Sequence, residues 1–179
     1  MKKTMKSEDS YKIGDTGPGG GKVFYDKGRY SGAWRYLEAT PVKMNTKWQW
    51  VRPCFTAAKI SGTRTAIGTG KKNTKLILAI DAEAPAAKAC TDYRGGGKSD
   101  WFLPSKDELN ELYKTRERIG ITPDTFNNFH LSDDFQSSDS FWSSSQGDSH
   151  SAWAQFFSDG SQNDAYNLHS ICICAVRAF

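Results

Sequence analysis

The sequence is poor in cysteine and histidine and contains no long hydrophobic run. Four cysteines and three histidines are spread over 179 residues, too few for a scaffold built on disulfide bonds. No apolar run approaches the roughly 20 residues of a transmembrane helix, which excludes direct insertion into a membrane. No apolar stretch follows the charged N-terminus, so we expect residues 1–10 to form a disordered tail rather than a signal sequence.

Lysine and arginine are missing from a long part of the chain. Neither occurs between residues 119 and 176, and residues 124–179 hold seven Asp and one Arg, a net charge of −6. Because the whole chain carries +4, residues 1–123 carry +10. Binding to nucleic acid depends on cationic side chains at the phosphates, which the C-terminal third cannot supply. We predict no nucleic-acid partner and interpret the scattered lysines as a solvated basic surface.

Aromatic residues and glycine are abundant. Six Trp, seven Tyr and ten Phe make up 13% of the chain, and sixteen Gly indicate a turn-rich fold. The length suits one domain with its own core. No repeat or low-complexity linker divides the sequence, so we expect a single domain over residues 11–179.

The first half of the chain predicts two strands followed by helices. Residues 22–26 and 33–38 mix β-branched or aromatic residues with polar ones near period two, with a hairpin loop between them. From Asn73 the apolar residues fit one helix face, and Pro85 should break that helix. Residues 86–90 continue as a second helical piece.

The clearest local signal is a capping box at Ser105 and Glu108. The serine hydroxyl can accept a hydrogen bond from the glutamate amide, while the glutamate carboxylate accepts one from the serine amide. Apolar residues follow at helical spacing, and Gly120 is a natural stop. We therefore predict a helix over residues 105–118.

The last third of the chain has no long helical pattern. Short apolar and aromatic runs at residues 141–142, 152–157 and 171–176 are separated by Ser, Asp, Asn and Gly. This pattern indicates antiparallel strands joined by polar loops. The predicted fold class is α+β, with two main helices and antiparallel sheets.

Motifs of catalysis and metal binding are incomplete. Two glycine-rich loops lack the first glycine of a P-loop, because Thr16 and Asp92 stand in its place. No G-x-S-x-G motif occurs, and no second Cys or His pair accompanies Cys172 and Cys174 at the spacing of a zinc site. We predict no catalytic residue, no metal ligand and no cofactor.

Two questions stay open at this level. The Asp-rich stretch 133–164 leaves a bound calcium ion as an option, without the spacing of an EF-hand. Cys54 and Cys90 either form one disulfide in an oxidising compartment or stay reduced in or near the core.

Residues 147–173 are dense in Ser, Asp, Asn, His, Tyr and Phe. Such mixtures suit binding loops, because aromatic side chains give contact area at low entropic cost and small polar side chains adapt their hydrogen bonds. An ordinary polar loop is the alternative, and composition alone leaves both open.

Several motifs, which together cover nearly the whole chain from residue 11, resemble a known family. The matching segments are residues 13–25, 34–39, 66–74, 99–109, 142–145 and 175–179, together with Ala152, Trp153, Gln155, Phe157, Gly160 and Gln162. They resemble the C-terminal domain of bacterial collagen-like proteins. That domain is a branch of the C-type lectin-like superfamily with the formylglycine-generating-enzyme variant of the fold.

Proteins of this type include the variable proteins of diversity-generating retroelements. In those systems a reverse transcriptase mutates adenines, so that Asn codons become NNY codons, which cannot encode Lys, Glu, Gln, Met or Trp. Between residues 147 and 173 the only residues of those five types are Trp153, Gln155 and Gln162, which match fixed positions of the family frame. The resemblance thus implies a variable segment over about residues 142–179.

The resemblance implies a non-enzymatic domain that presents variable side chains to a ligand, expected to be a protein on a target surface. The expected structural frame is Trp142, Trp153, Phe157 and Arg177. The expected contact residues are Gly147, Asp148, Ser149, His150, Ala154, Phe156, Ser158, Asp159, Ser161, Asn163, Asp164, Ala165, Tyr166, Asn167, Leu168, His169, Ile171 and Ile173. Cys172 is a further candidate, and the apolar residues 171–174 depart from the polar or basic residues common there in the family.

The resemblance also implies display on a cell surface or a virus particle. Sugar binding is not implied, because the Glu-Pro-Asn motif of calcium-dependent lectins is missing. Two alternatives remain. One is a fixed adhesive or structural domain. The other is an oxidoreductase related to formylglycine-generating enzymes, which need a reactive cysteine pair with copper; Cys172 and Cys174 are the only close pair.

Overall fold

The computed structural model describes residues 10–40, 48–55, 57–121 and 139–179. Residues 1–9 of the predicted tail and residues 133–138 of the Asp-rich stretch lie outside these ranges. The elements are β1 (Lys22–Ser31), β2 (Trp34–Ala39), α1 (Gly70–Ile80), α2 (Pro85–Asp92), α3 (Lys106–Thr115), β3 (Ser140–Gln146), β4 (Ser151–Phe156), β5 (Gln162–Tyr166) and β6 (Val176–Ala178). None of these helices has the length and hydrophobicity to cross a bilayer.

The strands form two antiparallel sheets, in the orders β1–β2–β6 and β3–β4–β5. With the helices they make the α+β fold that the sequence predicts. β1 continues to Ser31, so the hairpin turn consists of Gly32 and Ala33, both with positive φ. β6 pairs with β2, where Ala178 lies opposite Leu37. The last strand of the chain therefore completes the sheet that the first hairpin begins.

The described residues contain three α-helices, one at each of the three segments that the sequence predicts as helical, and α1 and α3 are the two longest. α1 begins at Gly70, three residues before the predicted start, and α3 ends at Thr115, three residues before the predicted end. Pro85 separates α1 from α2 and is also the first residue of α2. Proline suits that position because its fixed φ is helical and its missing N–H would have no helical partner.

The C-terminal strands are predicted only in part. Residues 141–142 lie in β3, and β4 covers most of 152–157, but residues 171–176 are not a continuous strand. Ile171 and Cys172 make single bridges to Trp48 and Phe141, and of this run only Val176 belongs to β6. This segment runs from the second sheet to the first with all its side chains buried, so its apolar run reflects burial. β5, with the polar sequence QNDAY, is a strand where the pattern predicts a loop.

The predicted capping box is confirmed and extends beyond its own helix. The Glu108 carboxylate accepts the Ser105 amide at 2.7 Å, and the Ser105 hydroxyl accepts the Glu108 amide at 3.3 Å. The other carboxylate oxygen accepts the amide of Gly68 at 2.8 Å and that of Gly70 at 3.5 Å. Burial raises the pKa of Glu108, and these hydrogen bonds oppose that effect. One buried side chain thus fixes the first turns of α1 and α3 to each other.

A second buried carboxylate, that of Glu38, explains the glycine-rich loop at residues 14–21. It accepts the amide of Gly19 at 2.9 Å and that of Gly21 at 3.0 Å. The Arg177 guanidinium donates to the same carboxylate at 2.9 Å and also pairs with Asp100. The loop therefore cradles an anion, as P-loops do, but the anion is a side chain of the protein itself.

Two clusters of buried apolar side chains lie on either side of the second sheet. Adjacent residues of β3 alternate between them, because successive strand residues point to opposite faces. Trp142 belongs to the cluster that contains Trp50 and Ile77, whereas Phe141 belongs to the cluster that contains Leu109. The strand that precedes the predicted contact residues is therefore held on both faces.

Replacing Gly19 with alanine should destabilise the fold. The new Cβ would lie 2.7 Å from Oε1 of Glu38 and 2.7 Å from the Trp101 ring, and both side chains are buried. We expect the free energy of unfolding to fall by about 1–3 kcal/mol, as for other overpacked sites, in urea denaturation.

Gly28→Ala is the control for this prediction. Gly28 has φ +82°, and a Cβ at this position would have no neighbouring atom within 4 Å. Alanine there should therefore cost only the backbone penalty of about 1 kcal/mol. Equal losses of unfolding free energy in Gly19→Ala and Gly28→Ala would contradict the close packing of Gly19 on the Glu38 carboxylate.

Candidate ligand-binding surface

The second sheet arranges the predicted contact residues around β4 and β5. In the register of these strands Ser151 lies opposite Tyr166, and Trp153 lies opposite Asp164. The β3–β4 loop, residues 147–150, and the segment after β5, residues 167–170, meet at one end of the sheet. The β4–β5 loop, residues 157–161, lies at the other end.

The eighteen predicted contact residues divide into three groups by exposure. Nine are exposed: Gly147, Asp148, His150, Ser158, Asp159, Asn163, Asp164, Tyr166 and His169. Five are partly buried: Ser149, Phe156, Ser161, Ala165 and Leu168. Four are buried: Ala154, Asn167, Ile171 and Ile173.

For these four residues the expectation of an exposed side chain is wrong. Ala154 lies on the central strand, directly opposite Trp142, and belongs to the same apolar cluster. Ile171 and Ile173 pack in that cluster too. Cys172, the further candidate, is also buried. The departure of residues 171–174 from the family's polar ending therefore coincides with a core segment.

Asn167 is buried where it forms hydrogen bonds to the 147–150 loop and to Trp50. Its amide donates to the His150 carbonyl at 2.9 Å, and its carbonyl accepts the Trp50 amide at 2.9 Å. Its side-chain amide donates to the Ser149 carbonyl at 3.4 Å. Asn167 thus positions the 147–150 loop.

The 147–150 loop is closed by the carboxylate of Asp148. Oδ1 accepts the His150 amide at 2.7 Å and the Ser151 hydroxyl at 2.9 Å. The hydrogen bond from the His150 amide, with that from Ser151, holds the pKa of Asp148 below its ordinary value. The His150 imidazole, in contact with the Ser149 hydroxyl at 2.9 Å, remains exposed.

The 157–161 loop is built in the same way. The Asp159 carboxylate accepts the Ser161 amide at 2.8 Å, and this bond, with the Ser161 side chain, lowers the pKa of Asp159. Gly160 has φ +81° and lies against the Tyr113 ring, where a Cβ would clash. A residue with a side chain is strongly disfavoured at position 160.

Two of the four predicted frame residues, Trp142 and Phe157, are buried in or directly after the strands of the second sheet. Trp142 is fully buried, and its indole N–H donates to the Trp48 carbonyl at 2.7 Å. Phe157 packs on the rings of Phe141 and Tyr113 at centroid distances of 4.7 and 5.6 Å.

Of the other two frame residues, Trp153 joins the second sheet to α3, whereas Arg177 lies in β6 of the first sheet. Trp153 is partly buried beneath the Lys106 ammonium, 3.2 Å from the ring centroid. The Arg177 side chain is 12% exposed and bridges Glu38 and Asp100. Trp153 also lies directly opposite the exposed Asp164 of β5, so this frame residue borders the exposed side chains.

The exposed part of the surface is acidic and carries one prominent aromatic residue. Tyr166 is 44% exposed, and its ring meets the His169 ring edge-on at 5.9 Å. The carboxylates of Asp148, Asp159 and Asp164 are distributed over the same loops and strand. The surface offers aromatic contact and negative charge to a ligand.

Sequence reasoning misses a neighbouring loop at residues 59–63. A cavity of about 450 Å³ separates it from the 147–150 loop, and Lys59, Ser61 and Thr63 contribute to its wall. Gln146 fixes this loop, since its side chain accepts the Ile60 amide at 2.8 Å and donates to the Ala58 carbonyl at 2.8 Å. These contacts span more than 80 residues, so no local pattern could reveal them.

The cysteine pair offers little to redox chemistry. Cys172 and Cys174 are both buried, and burial raises the pKa of Cys174 to about 11. Cys90 is buried as well, Cys54 is exposed, and neither belongs to a disulfide. No group of three or more His, Cys, Asp or Glu within the described ranges could hold a metal ion.

The 147–150 loop should open in acid. A carboxyl group with a lowered pKa stabilises the folded loop above its ordinary pKa of 3.8 and loses that effect as the pH falls through the folded-state value. We expect the NMR signal of the His150 amide to shift below pH 3.8. Asp148→Asn should lack this transition, and an unchanged His150 signal in the parent protein would contradict the role of Asp148.

Comparison with known proteins identifies one family. A family model described as the Lcl C-terminal domain matches residues 42–177, a range that includes α1 to α3 and the whole second sheet. Comparison with curated proteins gives no match. Because the matched residues are well over half of the chain, the protein belongs to the Lcl C-terminal domain family.

Proposed function

We propose that this domain is a ligand-binding display protein whose C-terminal segment, about residues 142–179, is diversified by a retroelement. In this proposal the domain has a C-type lectin-like fold of the formylglycine-generating-enzyme type and is displayed on a cell surface or a virus particle. The observation that carries the proposal is the separation of exposed from structural side chains within the segment. Nine predicted contact residues are exposed around β4 and β5, while the frame residues Trp142 and Phe157 are buried.

This separation supports tolerance to substitution. Exposed residues of loops and edge strands contribute little to stability, and surface changes usually alter it by less than about 0.5 kcal/mol. The 147–150 and 157–161 loops are held by backbone bonds of the buried Asn167 and by the turn at Gly160, together with the carboxylates of Asp148 and Asp159. New side chains at exposed positions other than Asp148 and Asp159 therefore leave the scaffold in place.

The chemistry of the surface supports a protein as ligand. Tyr166 and His169 supply aromatic area, which protein interfaces favour near their centres. The exposed aspartates would repel phosphates, which disfavours nucleic acid. The cavity between residues 59–63 and the 147–150 loop has one polar wall outside the proposed variable segment, which a ligand of the loop could also contact.

The gene provides the most direct test. We expect a near-identical template repeat of the segment and a reverse-transcriptase gene near it. The differences between the two copies should fall at adenines of the template. Codons of exposed positions should be of the NNY type, whereas those of Trp153, Gln155 and Gln162 should be identical in both copies. A gene without a template repeat would favour a fixed adhesive domain.

Replacing Tyr166 with alanine should weaken binding to the domain's protein target without unfolding the domain. Exposed tyrosines at the centre of an interface often contribute about 2 kcal/mol, a loss of roughly 30-fold in affinity. The measurement is the dissociation constant of the target, together with the melting temperature, which should change little because the ring is 44% exposed.

Tyr30→Ala is the matched control for this variant. Tyr30 is 61% exposed and lies on β1, in the other sheet, so its removal should affect neither binding nor melting. A large fall in melting temperature for Tyr166→Ala would place the ring in the core and contradict the assignment.

A further inference from the structure

We propose that the outer edge of β5 binds an extended, basic segment of the protein partner by strand addition. This inference rests on the proposed function and specifies the mode of contact. It starts from the backbone of β5, which is available whatever side chains the segment carries.

The hydrogen-bonding pattern shows which backbone groups of β5 point away from β4. Phe156 donates to the Ser161 carbonyl at 2.9 Å, and Asn167 donates to the His150 carbonyl at 2.9 Å. Hydrogen-bonded pairs alternate along an antiparallel ladder, so Asn163 and Ala165 face β4 with their backbone groups. The backbone groups of the alternate residues therefore face outward.

These outward residues are Gln162, Asp164 and Tyr166. The Tyr166 carbonyl accepts the His169 amide at 2.8 Å. In the described part of the chain no backbone group pairs with the N–H and C=O of Gln162 and Asp164 or with the Tyr166 N–H. This row of donors and acceptors spans a whole short strand, and such an edge is a template for an added strand.

Charge distinguishes a partner from a second copy of this chain. Full antiparallel pairing of β5 with another β5 would place two Asp164 carboxylates directly opposite each other, and like charges in that position are destabilising. The nearby loops carry Asp148 and Asp159, also exposed. A strand with lysine or arginine complements this edge, whereas an acidic strand or another β5 does not.

The strand register also indicates where the positive charges belong. Gln162, Asp164 and Tyr166 share one face of β5, because side chains alternate along a strand. A basic side chain opposite Asp164 pairs with its carboxylate, and one near Tyr166 lies over its exposed ring. Alternate basic residues on one face of the added strand satisfy both.

The test uses a synthetic peptide, TRTKTRT, with acetylated and amidated ends, added to the isotope-labelled domain. We expect NMR shifts of the Gln162, Asp164 and Tyr166 amides at millimolar peptide, and weaker binding of the neutral peptide TQTQTQT. Two analogues carry N-methyl groups, one on the basic residues and one on the threonines. Only one of the two should lose binding, because an added strand turns only alternate amides toward β5.

Two variants of Asp164 separate its charge from its backbone. Asp164→Asn keeps the N–H and should weaken peptide binding by about two- to fivefold, as expected for an exposed ion pair. Asp164→Pro also removes the outward N–H and should weaken it by at least about tenfold. Proline is tolerated on edge strands because that N–H has no partner in the sheet, and the remaining amide signals check that the fold is intact.

Three outcomes would overturn the proposal. The first is equal binding by the parent peptide and both N-methyl analogues. The second is the lack of shifts at the β5 amides. The third is a dimer of the unliganded domain that Asp164→Pro dissociates, which would assign the edge to a second copy. The gene test is independent of all three. If the gene has a template repeat but the β5 amides do not shift with peptide, strand addition is rejected and the proposed function is retained.

Discussion

The buried carboxylate of Glu38 is the interaction on which the rest of the structure depends. It joins a loop near the start of the described chain, through Gly19 and Gly21, to Arg177 near its end. An unpaired charge in this position would be strongly destabilising, and the amides and the guanidinium compensate it. Because Arg177 lies in β6, the same contact fixes the end of the segment that descends from the second sheet. The binding surface is thus anchored by a charge cluster on the opposite sheet.

Glu108 has the corresponding role for the helices, because each of the two buried glutamates joins a different pair of segments. Glu38 holds the strands of the first sheet to the glycine-rich loop, and Glu108 holds the start of α1 to the start of α3. α3 in turn reaches the second sheet, since Lys106 lies over Trp153 and its carbonyl accepts the Gln162 side chain at 2.9 Å. Neither glutamate belongs to the candidate surface, so that surface can change without disturbing either anchor.

The sequence indicates local structure well and non-local structure poorly. The capping box at Ser105 is visible because all its partners lie within four residues, and the α+β class follows from the change in periodicity along the chain. β5 is invisible because an edge strand with exposed side chains has no apolar alternation to reveal it. The run 171–176 misleads for the opposite reason, since complete burial gives an apolar run without a strand. Most exposed positions of the surface could be predicted, but Asn167 is buried where the chain meets Trp50, a partner more than 100 residues away.

The buried position of Asn167 has a consequence for any repertoire built on this domain. A mutator that rewrites codons without regard to structure would treat this asparagine like its exposed neighbours. Clones with another residue there would lose the side-chain hydrogen bond to the Ser149 carbonyl and would have to fit a different side chain into the same buried space, while the backbone bonds to His150 and Trp50 could remain. The number of folded family members would then be smaller than the number of encoded ones. Among folded members of the population, position 167 would then stay asparagine while the exposed positions around it vary. Aligned sequences would show the fold as one invariant position within a hypervariable segment.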